Sequence, residues 1–293
     1  MKEIENIIFK DPRITFMEIL KVNGKEVPFA NLLSFFFKPK EKHNLGTLFI
    51  DSLLETKFTN IGKNDTNEQN FEKIEYDRNS VKVMVELKTL NNNRIDIFIA
   101  TNTFVICIEF KINHNLDNPL EDYKNFISRH SEYSTKKQFY FILTPFKKEP
   151  IGNAKRYFEN NNEFKQIVLR HFIKQVKLNL ENKLSEVEHE NIYYQYFQDF
   201  IQTVENREIR SKRTFELTKL NDIIIQNSLK SEYHTNIQGG FLQVEKINYN
   251  LKIRIKFGKW QVEKWNGNIK DMDICKLDKD IDFTEFLNVL KKN

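Results

Sequence analysis

Residues 94–111, Arg-Ile-Asp-Ile-Phe-Ile-Ala-Thr-Asn-Thr-Phe-Val-Ile-Cys-Ile-Glu-Phe-Lys, are two runs of β-branched and aromatic residues that meet at Thr101-Asn102-Thr103. Such runs on either side of a short polar break predict an antiparallel hairpin, and the loop length then dictates which residues face each other. With Asn102 and Thr103 as the loop, residue 101 faces 104, 96 faces 109 and 94 faces 111. Directly opposed residues share a face. Asp96, Glu109 and Lys111 then gather on one side, and Ile95, Ile97, Ile99, Ile106, Ile108 and Phe110 on the other. A three-residue loop would break this register, so the arrangement depends on the turn.

Charges inside greasy strands need a reason. Two neighbouring carboxylates raise each other's pKa unless a cation lies between them. Oxygen ligands from Asp and Glu, with no His or Cys pair nearby, favour Mg²⁺ or Mn²⁺ over Zn²⁺. Such an ion acidifies bound water and stabilises charge on phosphoryl oxygens. Lys111, on the face of Glu109, is placed to orient a water or neutralise a phosphate. The same charges also fit an edge hairpin in which Asp96 pairs with Lys111 and Glu109 is solvated, because edge strands carry charges that block aggregation.

The motifs around the hairpin come in a definite order. Glu26-Val-Pro-Phe-Ala-Asn-Leu-Leu-Ser-Phe-Phe-Phe-Lys-Pro39 precedes His43-Asn-Leu-Gly46, Asp96 is followed after twelve residues by Glu109-Phe110-Lys111, and Asn118-Pro-Leu-Glu-Asp-Tyr123 comes next. The set resembles a bacterial branch of the PD-(D/E)XK nuclease superfamily, over roughly residues 15–205. The resemblance implies an α/β fold: a restriction-endonuclease-like core with a mixed sheet flanked by helices. It implies a hydrolase that cuts phosphodiester bonds with Mg²⁺ or Mn²⁺, on DNA in restriction, repair or defence; RNA fits the same chemistry. It makes Asp96, Glu109 and the Phe110 carbonyl the metal ligands. Lys111 would stabilise charge on the phosphate or help to deprotonate the attacking water. Glu26 and Glu86 become further acids near the site, although Glu26 also reads as a plain surface acid and Glu86 as a partner of Lys88.

Two departures stand out. Ile95 occupies the place of the family's Pro, and Pro119 that of a Gln often found before the Leu-x-x-Tyr of the next helix. The second departure, with the modest net charge, leaves room for another reading: an inactive nuclease-fold module that binds or assembles within a defence system. The intact Asp96, Glu109 and Lys111 favour the enzyme.

Composition adds weak bounds. Lys and Arg exceed Asp and Glu by five in 293 residues, compatible with a polyanionic partner without requiring one. Cys107 and Cys275 are too few for a disulfide framework, and Cys107 reads as a small core residue. The start, Met-Lys-Glu-Ile-Glu-Asn, lacks a signal-peptide core, and no apolar run approaches membrane length, so a cytoplasmic protein without membrane contact is expected. A homo-oligomer or a partner subunit fits equally well. His43 and Tyr123 read as structural, and the basic run Arg207, Arg210, Lys212 and Arg213 as a solvated face or a DNA contact.

Periodicity predicts helices over 30–37 and 45–54, a strand over 81–87, a helix from Pro119 to about Arg129, a buried strand over 139–143 and a short strand near 167–169. Amphipathic helices follow over 171–184 and 189 to about 206. Segments 241–247, 251–257 and 260–265 alternate apolar with polar residues and predict an antiparallel meander, closed by a helix over 283–290. The expected division is a nuclease-like domain over 1–230 and a β-rich subdomain over 231–293, joined by an Asn-, Ser- and Gly-containing connection.

Overall fold

The computed structural model describes residues 13–61, 71, 74–181, 192–226, 234–238, 241–246, 249–256, 259–266 and 269–271. The chain divides into two compact units, one of Ile14–Val204 and one that contains Glu205–Asn293. The expected closing helix over 283–290 and Cys275 lie outside the described residues.

The first unit is built on a six-stranded mixed sheet. Its helices are α1 (Phe16–Ile19), α2 (Glu26–Phe37), α3 (Leu48–Glu55), α4 (Leu120–Arg129), α5 (Gly152–Asn160), α6 (Leu169–Glu181) and the start of α7 (Ile192–Gln226). Its strands are β1 (Thr59–Asn60), β2 (Lys82–Lys88), β3 (Arg94–Ala100), β4 (Phe104–Phe110), β5 (Lys137–Thr144) and β6 (Phe164–Val168), in the spatial order β1-β6-β5-β4-β3-β2. β4, β5 and β6 run parallel, and the β2-β3-β4 meander is antiparallel. The fold is therefore α/β with a mixed central sheet flanked by helices, consistent with a restriction-endonuclease-like core.

The hairpin turn is the short one. Thr101 N–H donates to the Phe104 carbonyl at 2.9 Å, and Thr101 Oγ1 accepts from Phe104 N–H at 2.9 Å and Thr103 N–H at 3.2 Å. Ile97 pairs with Ile108 and Ala100 with Val105, the register of a two-residue Asn102-Thr103 loop. Because β2 and β5 flank the pair, β3 and β4 are interior strands, and aggregation-blocking edge charges do not account for the acids.

Helices cover both faces. On one face Ile97, Ile99, Ile106, Ile108 and Phe110 meet the phenylalanines of α2, α3, α6 and α7. On the other, Phe98, Val105 and Cys107 meet Leu120, Tyr123 and Ile127 of α4 and Tyr157 of α5. Ile95 departs from the expected alternation: it packs on the α4 face with Phe98 instead of with Ile97. The cause is local. Glu86 has φ +52°, and the β2-β3 register passes from Val85↔Ile97 to Leu87↔Ile95 without a Glu86–Asp96 rung. A left-handed residue interrupts the pleat without adding a residue to either strand, and Leu87 and Ile95 beyond it lie on the α4 face.

The second unit carries a five-stranded antiparallel sheet of β7 (His234–Gln238), β8 (Phe241–Lys246), β9 (Tyr249–Lys256), β10 (Lys259–Asn266) and β11 (Ile269–Asp271), each strand paired with the next. Leu242 and Val244, two residues apart on β8, are both buried, as the alternating pattern requires. α7 extends well past the expected end near residue 206.

Candidate active site

The strands bring three charged side chains to the end of β4, and a helix brings a fourth. Asp96 Oδ2 accepts from the Phe110 N–H at 2.7 Å, which ties the carboxylate to the neighbouring strand. Glu109 follows Val105 and Cys107 along β4, is 2 % exposed, and places Oε1 at 2.8 Å from Lys111 Nζ. Lys111 Nζ also reaches the Phe110 carbonyl at 3.1 Å and Glu26 Oε2 at 3.2 Å. The Lys111 N–H continues the ladder to the Leu143 carbonyl of β5 at 2.9 Å.

Glu26 comes from the first turn of α2. Its Oε1 accepts from the Ile112 N–H at 3.0 Å and lies 3.2 Å from His114 Nδ1. Glu26 thus anchors the start of a helix to the residues just past the catalytic-type strand. Glu86 stands apart from this knot. It pairs with Arg94 at 3.0 Å, not with Lys88, although its charge still reaches Asp96.

Burial dominates the electrostatics. Desolvation pushes Glu109 up to about 8, reinforced by Asp96 and opposed by Lys111. Desolvation likewise raises Asp96 to about 6, with the Phe110 N–H and Lys111 pulling the other way. For Glu26 burial also works upward, but Lys111, His114 and the Ile112 N–H outweigh it and hold the carboxyl below its usual range. Burial works against the Lys111 cation, and Glu109, Glu26 and Asp96 together outweigh it, so its pKa is raised.

Asn118, absent from the sequence expectations, completes the inner set. Its Nδ2 donates to Glu109 Oε1 at 2.5 Å. Lys111 and Asn118 therefore share one oxygen of Glu109, and Glu109 Oε2 is left buried with no hydrogen-bond partner. The only sequence signal was its position: an Asn before Pro119 at the head of α4, where the side chain is free to turn away from the helix.

An orphaned buried carboxylate oxygen is costly unless a cation meets it. The donors fit a hard divalent ion: Asp96, Glu109 Oε2 and the Phe110 carbonyl are all oxygen, and one or two carboxylates with retained waters are what Mg²⁺ ordinarily takes. Among the described residues no group of three or more His, Cys, Asp or Glu side chains forms a ready-made cage, and Glu26 is turned to Lys111.

The other candidates lie outside the charged knot. His43 is buried; its Nδ1 accepts from the Leu45 N–H at 2.9 Å, and Nε2 faces the Phe35 and Lys38 carbonyls at 3.2 and 3.0 Å, which ties off the end of α2. Tyr123 lies in the core under Glu109, where burial and that neighbour drive its phenol far up. In the basic run on α7, Lys212 pairs with Glu208 at 2.9 Å.

Residues 15–216 match the family model of the PD-(D/E)XK nuclease superfamily, and the chain belongs to that superfamily. No curated protein and no solved structure matches the chain. Membership makes a nucleic acid the substrate and a divalent metal ion the general cofactor of this class. Among the described residues no helix is long and apolar enough to cross a membrane.

Proposed function

We propose that this protein is a Mg²⁺- or Mn²⁺-dependent deoxyribonuclease of the PD-(D/E)XK type, acting in DNA processing or in defence against foreign DNA. The observation that carries the reading is Glu109: a fully buried carboxylate with one oxygen clamped by Lys111 and Asn118 and the other unmet. A decayed site has no reason to keep such a charge, since replacing it by an apolar residue would relieve the desolvation cost. That argues against an inactive binding or assembly module.

In this reading Asp96, Glu109 and the Phe110 carbonyl would hold the ion. Bound there, it would supply a more acidic water and neutralise charge on the phosphoryl oxygens. The chain's own residues do the remaining work. The Phe110 N–H fixes the Asp96 carboxylate, and Asn118 fixes which oxygen of Glu109 is presented. Lys111, held cationic among three carboxylates, stabilises the charge that builds on the phosphate in preference to taking a proton from water. Glu26 keeps Lys111 aimed by sharing its ammonium. Glu86, outside this set, would act on Asp96 through its charge alone.

The test is cleavage of plasmid and linear DNA by purified protein with and without Mg²⁺ or Mn²⁺, beside the Asp96→Ala and Glu109→Ala variants. Metal-dependent cleavage lost in both variants is the expected result. Cleavage that survives both substitutions would overturn the site, and no cleavage by the wild-type protein with either metal would favour the binding module.

A further inference from the structure

The turn between β2 and β3 is fastened to the head of α4 by one carboxylate. Asp122 accepts from Thr89 Oγ1 and Asn91 Nδ2, each at 2.5 Å, and from Asn93 Nδ2 at 2.8 Å. Between this turn, α4 and α5 lies a cleft of about 730 Å³. Asn118 lines it, and the same side chain bonds Glu109, so one side chain joins the wall of the cleft to the buried candidate catalytic carboxylate.

Its size and lining select a kind of occupant. The volume lies in the range of small-molecule sites, about 300–1,000 Å³, room for a nucleotide and not for a duplex. Amide side chains on the walls, Asn93, Asn125 and Asn153 among them, can both donate to and accept from the edge of a base. Arg129 and Arg156 add guanidinium planes able to stack on a base or grip a phosphate, and Asn153 Oδ1 aims Arg156 at 2.7 Å. Glu121 and Asp122 match those two positive charges in number, so the cleft is not a track for a polyanionic backbone. At its rim, on the tip of the turn, sits Leu90, 85 % exposed. A lone exposed leucine is ordinary. Here its place is what matters, because apolar side chains at such positions wedge between base steps and hold them apart.

We propose that this cleft receives one nucleotide swung out of a DNA duplex next to the scissile phosphate, while Leu90 fills the gap left in the base stack. The proposal rests on the deoxyribonuclease reading above. Extrusion is easiest where pairing is already weak, so mismatched or frayed sites are the preferred substrates.

Two measurements test it. First, metal-free wild-type protein is titrated into a duplex carrying 2-aminopurine beside the cleavage position. The fluorescence should rise severalfold as the base unstacks, and Leu90→Ala should blunt the rise. Second, turnover is compared on a fully paired duplex and on the same duplex with a two-base mismatch. Leu90→Ala should lower the paired rate about tenfold more than the mismatched rate, on the order of the unstacking of one base step. Arg129→Ala with Arg156→Ala should raise KM on both substrates. Unchanged fluorescence with cleavage intact, or equal losses on both substrates in Leu90→Ala, would overturn the nucleotide site and leave the nuclease standing. Failure of the wild-type protein to cut any DNA would remove both.

Discussion

The two faces of the β3-β4 hairpin are both buried, yet they are packed on opposite principles. Towards α2, α3, α6 and α7 the neighbours are rings: Phe36 stacks on Phe49 at 4.7 Å, and Phe49 meets Phe197 edge to face at 4.9 Å. Towards α4 the same strands end in Asp96, Glu109 and Lys111 with an unmet carboxylate oxygen. The first face lowers the free energy of the fold throughout; on the second, the apolar packing of Phe98, Val105 and Cys107 gives way at its end to charges that raise it where chemistry is read. Buried charge of this kind marks functional sites more often than it aids stability.

If that contrast holds, the largest effect comes from the acids. Asp96→Ala and Glu109→Ala should each reduce DNA cleavage below detection, and in chelator Glu109→Ala should melt no lower than wild type. A clear fall in its Tm would show that Glu109 is a structural ion-pair partner after all. Next comes Lys111→Met, which keeps the stem and removes the charge. Turnover should drop by about two to four orders of magnitude, as for a single electrostatic or acid–base contributor, with Mg²⁺ still bound in calorimetry. On the other face, Phe36→Ala should cost about 3–5 kcal/mol by cavity formation, measured by denaturant unfolding, and any protein that remains folded should cut DNA normally.

The smallest and sharpest comparison is in pH. Burial pushes Glu109 up to about 8 from the ordinary 4.5 of a glutamate, so the unfolded chain releases its proton first. Stability from this group is full below about 4.5 and drains away as pH rises through about 8. His43 is displaced the other way, by burial, below its usual 6.5. Its contribution is full above 6.5 and is lost as pH falls through the depressed folded value, because only the unfolded ring takes the proton. Melting curves in chelator should therefore weaken towards both ends of the range. Glu109→Gln should flatten the alkaline limb alone and His43→Gln the acid limb alone; if either substitution flattens both, the two sites are coupled.

Much of the site was legible because a two-residue turn leaves one register. Once Asn102-Thr103 is the loop, Ile97 must face Ile108, and the acids come together by counting. The Ile95 assignment failed for a reason that strict alternation cannot contain: Glu86 takes a left-handed backbone in the neighbouring strand, and the Glu86–Asp96 rung is missing although the register on either side is unchanged. Glu86 itself met Arg94 across the strands, a partner eight residues away in sequence and hidden from a search for local pairs such as Lys88. The C-terminal alternation translated directly into β8, β9 and β10, since antiparallel neighbours adjacent in sequence need only local information.

The sequence by itself determined the hairpin, the order of charged motifs and thereby the superfamily, because strand periodicity and turn length are local properties. Tertiary structure alone decided that Glu26, 85 residues from Lys111, shares its ammonium, and that Asn118 clamps Glu109. It also decided that Asp122 fastens the Leu90 turn at the rim of a cleft whose wall includes Asn118. Those contacts join elements whose approach is set by helix packing on the sheet. Their strength comes from desolvation, a quantity that exists only once the layers have closed.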